Sequence, residues 1–93
     1  MDKRFLNKVV DQIVSETKID YRMGKVQFPF IRQQASYPAY SLSLLRSPTF
    51  TFSSTFILAL IKQCIEVYGL NMEEVEYVCD EYKEIIIDEI NNG

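Results

Sequence analysis

Three stretches of the chain repeat apolar residues at the three- and four-residue spacing of an amphipathic helix. They predict helices over about residues 3–18, 54–68 and 72–91. Asp2 stands where an N-cap belongs, and an acidic side chain suits that end of a helix. The apolar face of the first helix consists of Phe5, Leu6, Val9, Val10, Ile13, Val14 and Thr17.

The last two helices are separated by the short segment Gly69-Leu70-Asn71. Glycine just past a helix end readily takes the left-handed conformation that terminates the helix. Asn71 and Glu74 have the spacing of a capping box, and Leu70 can pack on Val75 as a hydrophobic staple. These signals predict an αα-hairpin. The high apolar content of residues 54–68 predicts that this helix is the most buried of the three.

The middle segment, residues 25–52, is rich in aromatic residues and lacks a helical pattern. Apolar residues alternate at Val26-Phe28-Phe30, Tyr40-Leu42-Leu44 and Phe50-Phe52, with Pro29, Pro38 and Pro48 between or within these runs. Short antiparallel strands and an extended loop packed over the helices both fit. The first helix also has room to continue to Met23, with Gly24 as its end.

We therefore expect one mainly α domain spanning residues 1–93, because this length suits a single domain. Its N-terminal helix packs on the C-terminal αα-hairpin, and the aromatic middle segment covers them as a loop or as short β-strands. Covering the helical core is one role for that segment. A contact surface is the other, since interfaces favour Tyr and Arg.

The composition argues against an enzyme. The chain has no His, which removes the commonest general base and the commonest zinc ligand. We predict no catalytic residues, no metal site and no cofactor. Cys64 and Cys79 fall on apolar helical faces and are interpreted as two buried thiols, with a disulfide or redox pair as the alternative.

Charge is distributed unevenly, although the net charge is only −3. No Asp or Glu occurs from Tyr21 to Ile65, whereas nine acidic residues follow from Glu66 onward with Lys83 as the one basic residue among them. Five of these acids share the outer face of the last helix and form an acidic stripe: Glu73, Glu76, Asp80, Glu84 and Asp88. Like charges at this spacing repel, which favours a basic partner surface or a solvated face.

The candidate partner surface has two parts. The first is the acidic stripe with Tyr77 beside it, and the second lies in the middle segment at Arg32, Tyr37, Tyr40 and Arg46. The two parts could meet within one molecule, across a dimer, or through another protein. The stripe could also imitate DNA toward a DNA-binding protein.

A DNA-binding helix-turn-helix has the same outline as the predicted hairpin. Its recognition helix would begin at Met72, and Glu73, Glu74 and Glu76 would then face phosphates of the same sign. Any nucleic-acid contact would have to use basic residues of the N-terminal half, with Tyr21 and Phe28 as stacking residues. Those basic residues are Lys3, Arg4, Lys8, Arg22, Lys25 and Arg32.

One family resemblance rests on the run from Tyr68 to Val78 and its continuation from Glu81 to Ile86. These residues resemble small uncharacterised proteins of marine phages over about the last third of the chain. The resemblance implies a phage-encoded protein acting in a bacterial cytoplasm. It brings no function, cofactor or site residue with it.

We interpret the sequence as a non-enzymatic protein-interaction or regulatory module that forms a homo-oligomer. The alternative is a small nucleic-acid-associated regulator that uses the basic N-terminal half, and a carboxylate-based metal-dependent enzyme ranks third.

The longest apolar run, from Phe56 to Ile61, is much shorter than a membrane span, so we expect no membrane contact and a cytoplasmic location.

Overall fold

The computed structural model describes residues 1–31 and 40–92. The helices in these ranges are α1 (Lys3–Glu16), α2 (Leu42–Leu45), α3 (Ser54–Tyr68) and α4 (Met72–Asn92), and the strands are β1 (Lys18–Asp20), β2 (Lys25–Gln27) and β3 (Tyr40–Ser41). α1 packs on α4, and α3 packs on α4. The predicted mainly α fold class is confirmed. No helix in the described ranges has the length and hydropathy that crossing a membrane requires.

The N-terminal helix begins as predicted but ends earlier. The Asp2 carboxylate accepts hydrogen bonds from the backbone N–H groups of Arg4 at 3.0 Å and Phe5 at 3.4 Å. α1 then stops at Glu16 and does not continue to residue 18 or to Met23. It stops because the chain leaves the helix to form β1, whose backbone pairs with β2. Gly24, with φ of 68°, lies in the turn between these strands and not at a helix end.

Both interpretations of the middle segment hold in part. β1, β2 and β3 form an antiparallel sheet in that order, with Ile19 opposite Val26 and Lys25 opposite Ser41. Tyr40 is therefore in a strand, whereas Leu42 begins α2. Phe50 and Phe52 belong to neither strand nor helix and pack as loop residues.

The aromatic rings of the middle segment cover the start of α3. The Phe28 and Phe30 rings meet the Phe56 ring edge-on, with centroids 4.8 and 5.1 Å away, and the Phe52 ring stacks on it at 4.2 Å. Ring pairs at these separations add to the stabilisation that burial supplies. In the described part of the segment, these rings serve the core.

The turn between α3 and α4 has every predicted feature. Gly69 has φ of 65°, and its N–H donates to the Ile65 carbonyl at 3.1 Å. The Asn71 side chain accepts from the Glu74 N–H at 2.9 Å, and the Glu74 carboxylate accepts from the Asn71 N–H at 3.1 Å. Leu70 and Val75 are both buried, as a hydrophobic staple requires.

α4 contributes more buried residues than any other helix described. Its buried side chains are Val75, Val78, Cys79, Tyr82, Ile86 and Ile90, and their spacing in the sequence predicts one apolar face directed to the core. Two hydrogen bonds tie its last turn to earlier parts of the chain. The Tyr21 hydroxyl donates to the Glu89 carbonyl at 2.8 Å, and the Arg46 Nε donates to the Ile90 carbonyl at 3.1 Å. These carbonyls have no partner within the helix, and a cation suits its C-terminal end.

Tyr82 joins α4 to the end of α1. It is 0% exposed, and its hydroxyl lies 2.6 Å from the Thr17 hydroxyl. Because Thr17 donates its hydroxyl hydrogen to the Ile13 carbonyl at 2.8 Å, Tyr82 is the donor in this pair. Burial raises the pKa of Tyr82 above its usual value.

The prediction that the helix over residues 54–68 is the most buried was wrong. α3 buries Phe56, Leu60 and Cys64, which is three of its 15 residues, against six of 21 in α4 and four of 14 in α1. The physical reason is the number of helices that pack against each of these two helices. α4 has α1 on one side and α3 on another, whereas α3 has α4 as its main helical neighbour.

The raised pKa of Tyr82 predicts a loss of stability in alkali. The unfolded chain ionises this tyrosine near pH 10 while the folded chain keeps it protonated, so the stabilisation is complete below pH 10 and is lost above it. We expect the free energy of unfolding to fall by up to about 1.4 kcal/mol per pH unit there.

Tyr82→Phe is the matched comparison for this effect. The variant should lose about 1 kcal/mol at neutral pH with the hydrogen bond, and its stability should fall less steeply above pH 10. Urea unfolding of both proteins between pH 8 and pH 11 measures the difference, since the other tyrosines and both cysteines are common to the two. Equal slopes would contradict the assignment to Tyr82.

Candidate functional site

The acidic stripe lies on the surface of α4. Glu73, Glu76, Asp80, Glu84 and Asp88 are all exposed. Within residues 1–31 and 40–92, Asp80 is the one member with an ion pair, to Lys83 at 3.8 Å. The stripe is therefore a row of carboxylates that the described residues leave largely uncompensated.

An apolar groove of about 520 Å³ lies between α3 and α4. Its apolar lining comes from Ile57 and Ile61 of α3 and from Met72, Val75 and Cys79 of α4. Its α4 edge carries three members of the acidic stripe, which we call the acidic rim: Glu73, Glu76 and Asp80. Glu84 and Asp88 lie farther along α4 and do not line the groove.

The apolar surface extends from the groove across α3. Leu58 is 64% exposed and lies within one turn of the half-buried Ile57 and Ile61, and Ile65 is 43% exposed and lies about one turn beyond Ile61. Met72, at the other end of the groove, is 64% exposed. We call Ile57, Leu58, Ile61 and Ile65 the α3 stripe. Its members are apolar residues that the fold itself leaves wholly or partly uncovered.

Beyond the α3 stripe, the surface of α3 is close to neutral. The Lys62 ammonium lies 4.0 Å from the Glu66 carboxylate, one turn along the same helix. Both side chains are well exposed, so water screens the pair and it contributes little to stability. The groove thus has one acidic edge, on α4, and one nearly neutral edge, on α3.

The groove is a site that the sequence analysis did not find. The sequence pattern predicts Ile57 and Ile61 in the buried seam of α3, with Leu58 and Ile65 widening that seam. The available signal was the breadth of this apolar face, which exceeds what contact with one neighbouring helix can bury.

Other members of the predicted partner surface serve the fold. Tyr77 is half-buried against the core, and its hydroxyl donates to the Asn7 side chain at 2.8 Å, which links α4 to α1. Arg46 binds the last turn of α4 through Ile90. The backbone of Tyr40 lies in β3. Arg32 and Tyr37 lie outside the described residues.

The two cysteines face each other under the groove. Both are free and buried, and Cys79 forms part of the groove floor. The interaction between the two thiols is the main cause that raises the pKa of Cys64 and lowers the pKa of Cys79, and burial acts upward on the pKa of both. The arrangement agrees with two structural thiols.

The two stacking residues proposed for nucleic acid differ in exposure. Phe28 is 2% exposed, so it is a core residue, and its assignment as a stacking residue was wrong. Tyr21 is 44% exposed, although its hydroxyl binds the Glu89 carbonyl. Lys3, Arg4, Lys8, Arg22 and Lys25 are exposed. With one exposed aromatic residue, these charges do not by themselves define a single-strand binding surface.

A second cavity, of about 370 Å³, lies among the aromatic rings of the middle segment. Three of the four residues that bring hydroxyl groups to its lining already use them in hydrogen bonds. Ser47 and Thr49 lie 3.1 Å apart as a hydrogen-bonded pair, and the Ser53 hydroxyl caps α3 by accepting from the Phe56 N–H at 3.2 Å. In the part of the chain that the structure describes, no three Asp, Glu or Cys residues come together as a metal site would need.

Comparisons with known proteins add no assignment. No protein-family model, no curated protein and no solved structure matches this chain. The resemblance to marine phage proteins stays a prediction. The groove with its acidic rim is therefore the candidate site on its physical features alone.

Two neighbouring leucines test whether the α3 stripe is surface or core. Leu60 is 1% exposed, so Leu60→Ala should cost about 2–5 kcal/mol of unfolding free energy through lost burial and a cavity. Leu58→Ala should change it by less than about 0.5 kcal/mol, because it removes no packed contact. Chemical denaturation of the two variants measures the contrast. Similar losses at both positions would place Leu58 in the core.

Proposed function

We propose that this chain is a non-enzymatic protein-interaction module whose binding surface is the groove between α3 and α4. The observation that carries the proposal is the contiguous apolar surface formed by the α3 stripe and Met72 beside an open groove. Contiguous exposed apolar surface next to polar residues is typical of protein contact sites, whereas scattered apolar residues are ordinary.

The size of the surface indicates a reversible contact. Covering the exposed parts of Leu58, Ile65 and Met72 would contribute on the order of 3 kcal/mol. Association costs more free energy than this, because the two partners lose translational and rotational entropy. The groove lining and the acidic rim must therefore add to the affinity. Small interfaces of this kind are characteristic of weak and transient complexes.

The shape of the groove fits an α-helix. The α3 stripe runs from Ile57 to Ile65, which is about 12 Å along the helix axis, or roughly two turns. Two packed helices with an apolar groove between them receive a third helix through side chains spaced at i, i+3 or i+4, and i+7. A partner helix of two to three turns would cover the stripe and Met72 together.

The test uses a neutral amphipathic peptide, with leucines at the helical spacing and glutamines elsewhere. We expect weak but saturable binding, measured by fluorescence anisotropy of the labelled peptide. Leu58→Asp should abolish it by placing a charge in the contact. Leu44→Asp is the matched control, since Leu44 is 53% exposed on α2 and lies outside the groove. Absence of binding, or equal loss in the two variants, would refute the proposal.

Self-association was predicted from the sequence and has its own test. We expect a solution mass above that of the 10.9 kDa chain, by light scattering at low and high salt. Because the chain carries a net charge of −3, screening should favour the association at higher salt. A monomer at both salt concentrations would contradict the homo-oligomer while leaving the groove open to another protein.

A further inference from the structure

We infer that the groove binds a basic amphipathic helix from a different protein. This inference rests on the proposed function and specifies the chemistry of the partner. The apolar α3 stripe would receive the apolar face of that helix. The acidic rim would receive lysine or arginine side chains from its flank.

The acidic rim runs alongside the apolar stripe over a matching length. Glu73 and Asp80 are seven residues apart, which is about 10 Å along α4, and Glu76 lies between them. The α3 stripe covers about 12 Å. A single helix lying in the groove would therefore present its flank to all three carboxylates while its apolar face meets the stripe.

The rim is available for such contacts. Glu73, Glu76 and Asp80 are exposed, and neither Glu73 nor Glu76 forms an ion pair within the described ranges. Asp80 lies 3.8 Å from Lys83, a long and partly solvated pair. Carboxylates at this spacing repel one another in the free protein, and cationic groups of a partner would relieve that repulsion.

A second copy of this chain is disfavoured as the occupant, because its α3–α4 groove offers no positive charge and its basic helix α1 already buries its apolar face in the core. The neutral edge of α3, with Lys62 paired to Glu66, would offer the rim no net positive charge. The rim of a second copy would bring three more carboxylates. An acidic helix and a nucleic acid are disfavoured for the same reason, so the rim selects partners as well as attracting them.

The experiment compares three peptides that share one apolar face and differ in the flank residues, which are lysine, glutamine or glutamate. Dissociation constants are measured by titration at low and high salt. Three exposed ion pairs should make the lysine peptide bind about tenfold more tightly than the glutamine peptide. The glutamate peptide should bind most weakly, and the differences should shrink at high salt.

Two double variants locate the effect on α4. Glu73→Gln with Glu76→Gln should remove most of the preference for the lysine peptide over the glutamine peptide. Glu84→Gln with Asp88→Asn removes the same charge farther along the stripe and should keep the preference. Circular dichroism and a melting curve for each variant establish that both remain folded.

The outcomes separate this inference from the proposed function. Equal affinity for the lysine and glutamine peptides, or equal effects of the two double variants, would overturn the basic partner. The proposed function would still stand if the glutamine peptide remained sensitive to Leu58→Asp. If none of the three peptides binds, both the basic partner and the proposed function are refuted.

Discussion

The reciprocal hydrogen bonds between Asn71 and Glu74 are the constraint on which the rest of this structure depends. They start α4 three residues after the αL glycine that ends α3, and the burial of Leu70 and Val75 fixes the angle at which the chain turns. Once the turn is set, the facing positions of the two helices are set as well. Cys64 then meets Cys79, and Ile57 and Ile61 border the groove together with Met72 and Val75.

The groove exists because the two helices of the hairpin are unequally covered. α4 receives α1 on a face anchored by Tyr82 and Thr17, and its last turn is held by Tyr21 and Arg46. α3 packs on α4 along one side, and the aromatic rings around Phe56 cover its first turn. Within residues 1–31 and 40–92, its remaining apolar side chains have no comparable cover. The groove is therefore a consequence of how the helices share the core. The acidic stripe makes its α4 edge negatively charged, while its α3 edge is nearly neutral.

Local signals in the sequence were sufficient for the hairpin, the caps and the core face of α4, because each depends on residues within a few positions of one another. The exposed acidic stripe follows from the same periodicity. The end of α1 was not predictable in this way, since it is decided by the pairing of Lys18–Asp20 with Lys25–Gln27. The exposure of Leu58 and Ile65 depends on which helices neighbour α3, and the roles of Tyr77 and Phe28 depend on contacts with Asn7 and Phe56. The sequence therefore predicted the acidic stripe of the site but not the apolar groove beside it.

Residue-resolved NMR can show whether this chain binds a helix between α3 and α4. Amide shifts of the labelled protein are followed while the lysine-flanked peptide is added. We expect shift changes that saturate along the α3 stripe and from Met72 to Asp80, with the outer face of α1 unchanged at Lys8 and Asp11. Changes concentrated on α1 or around Phe50 and Phe52, with none in the groove, would refute binding at this site.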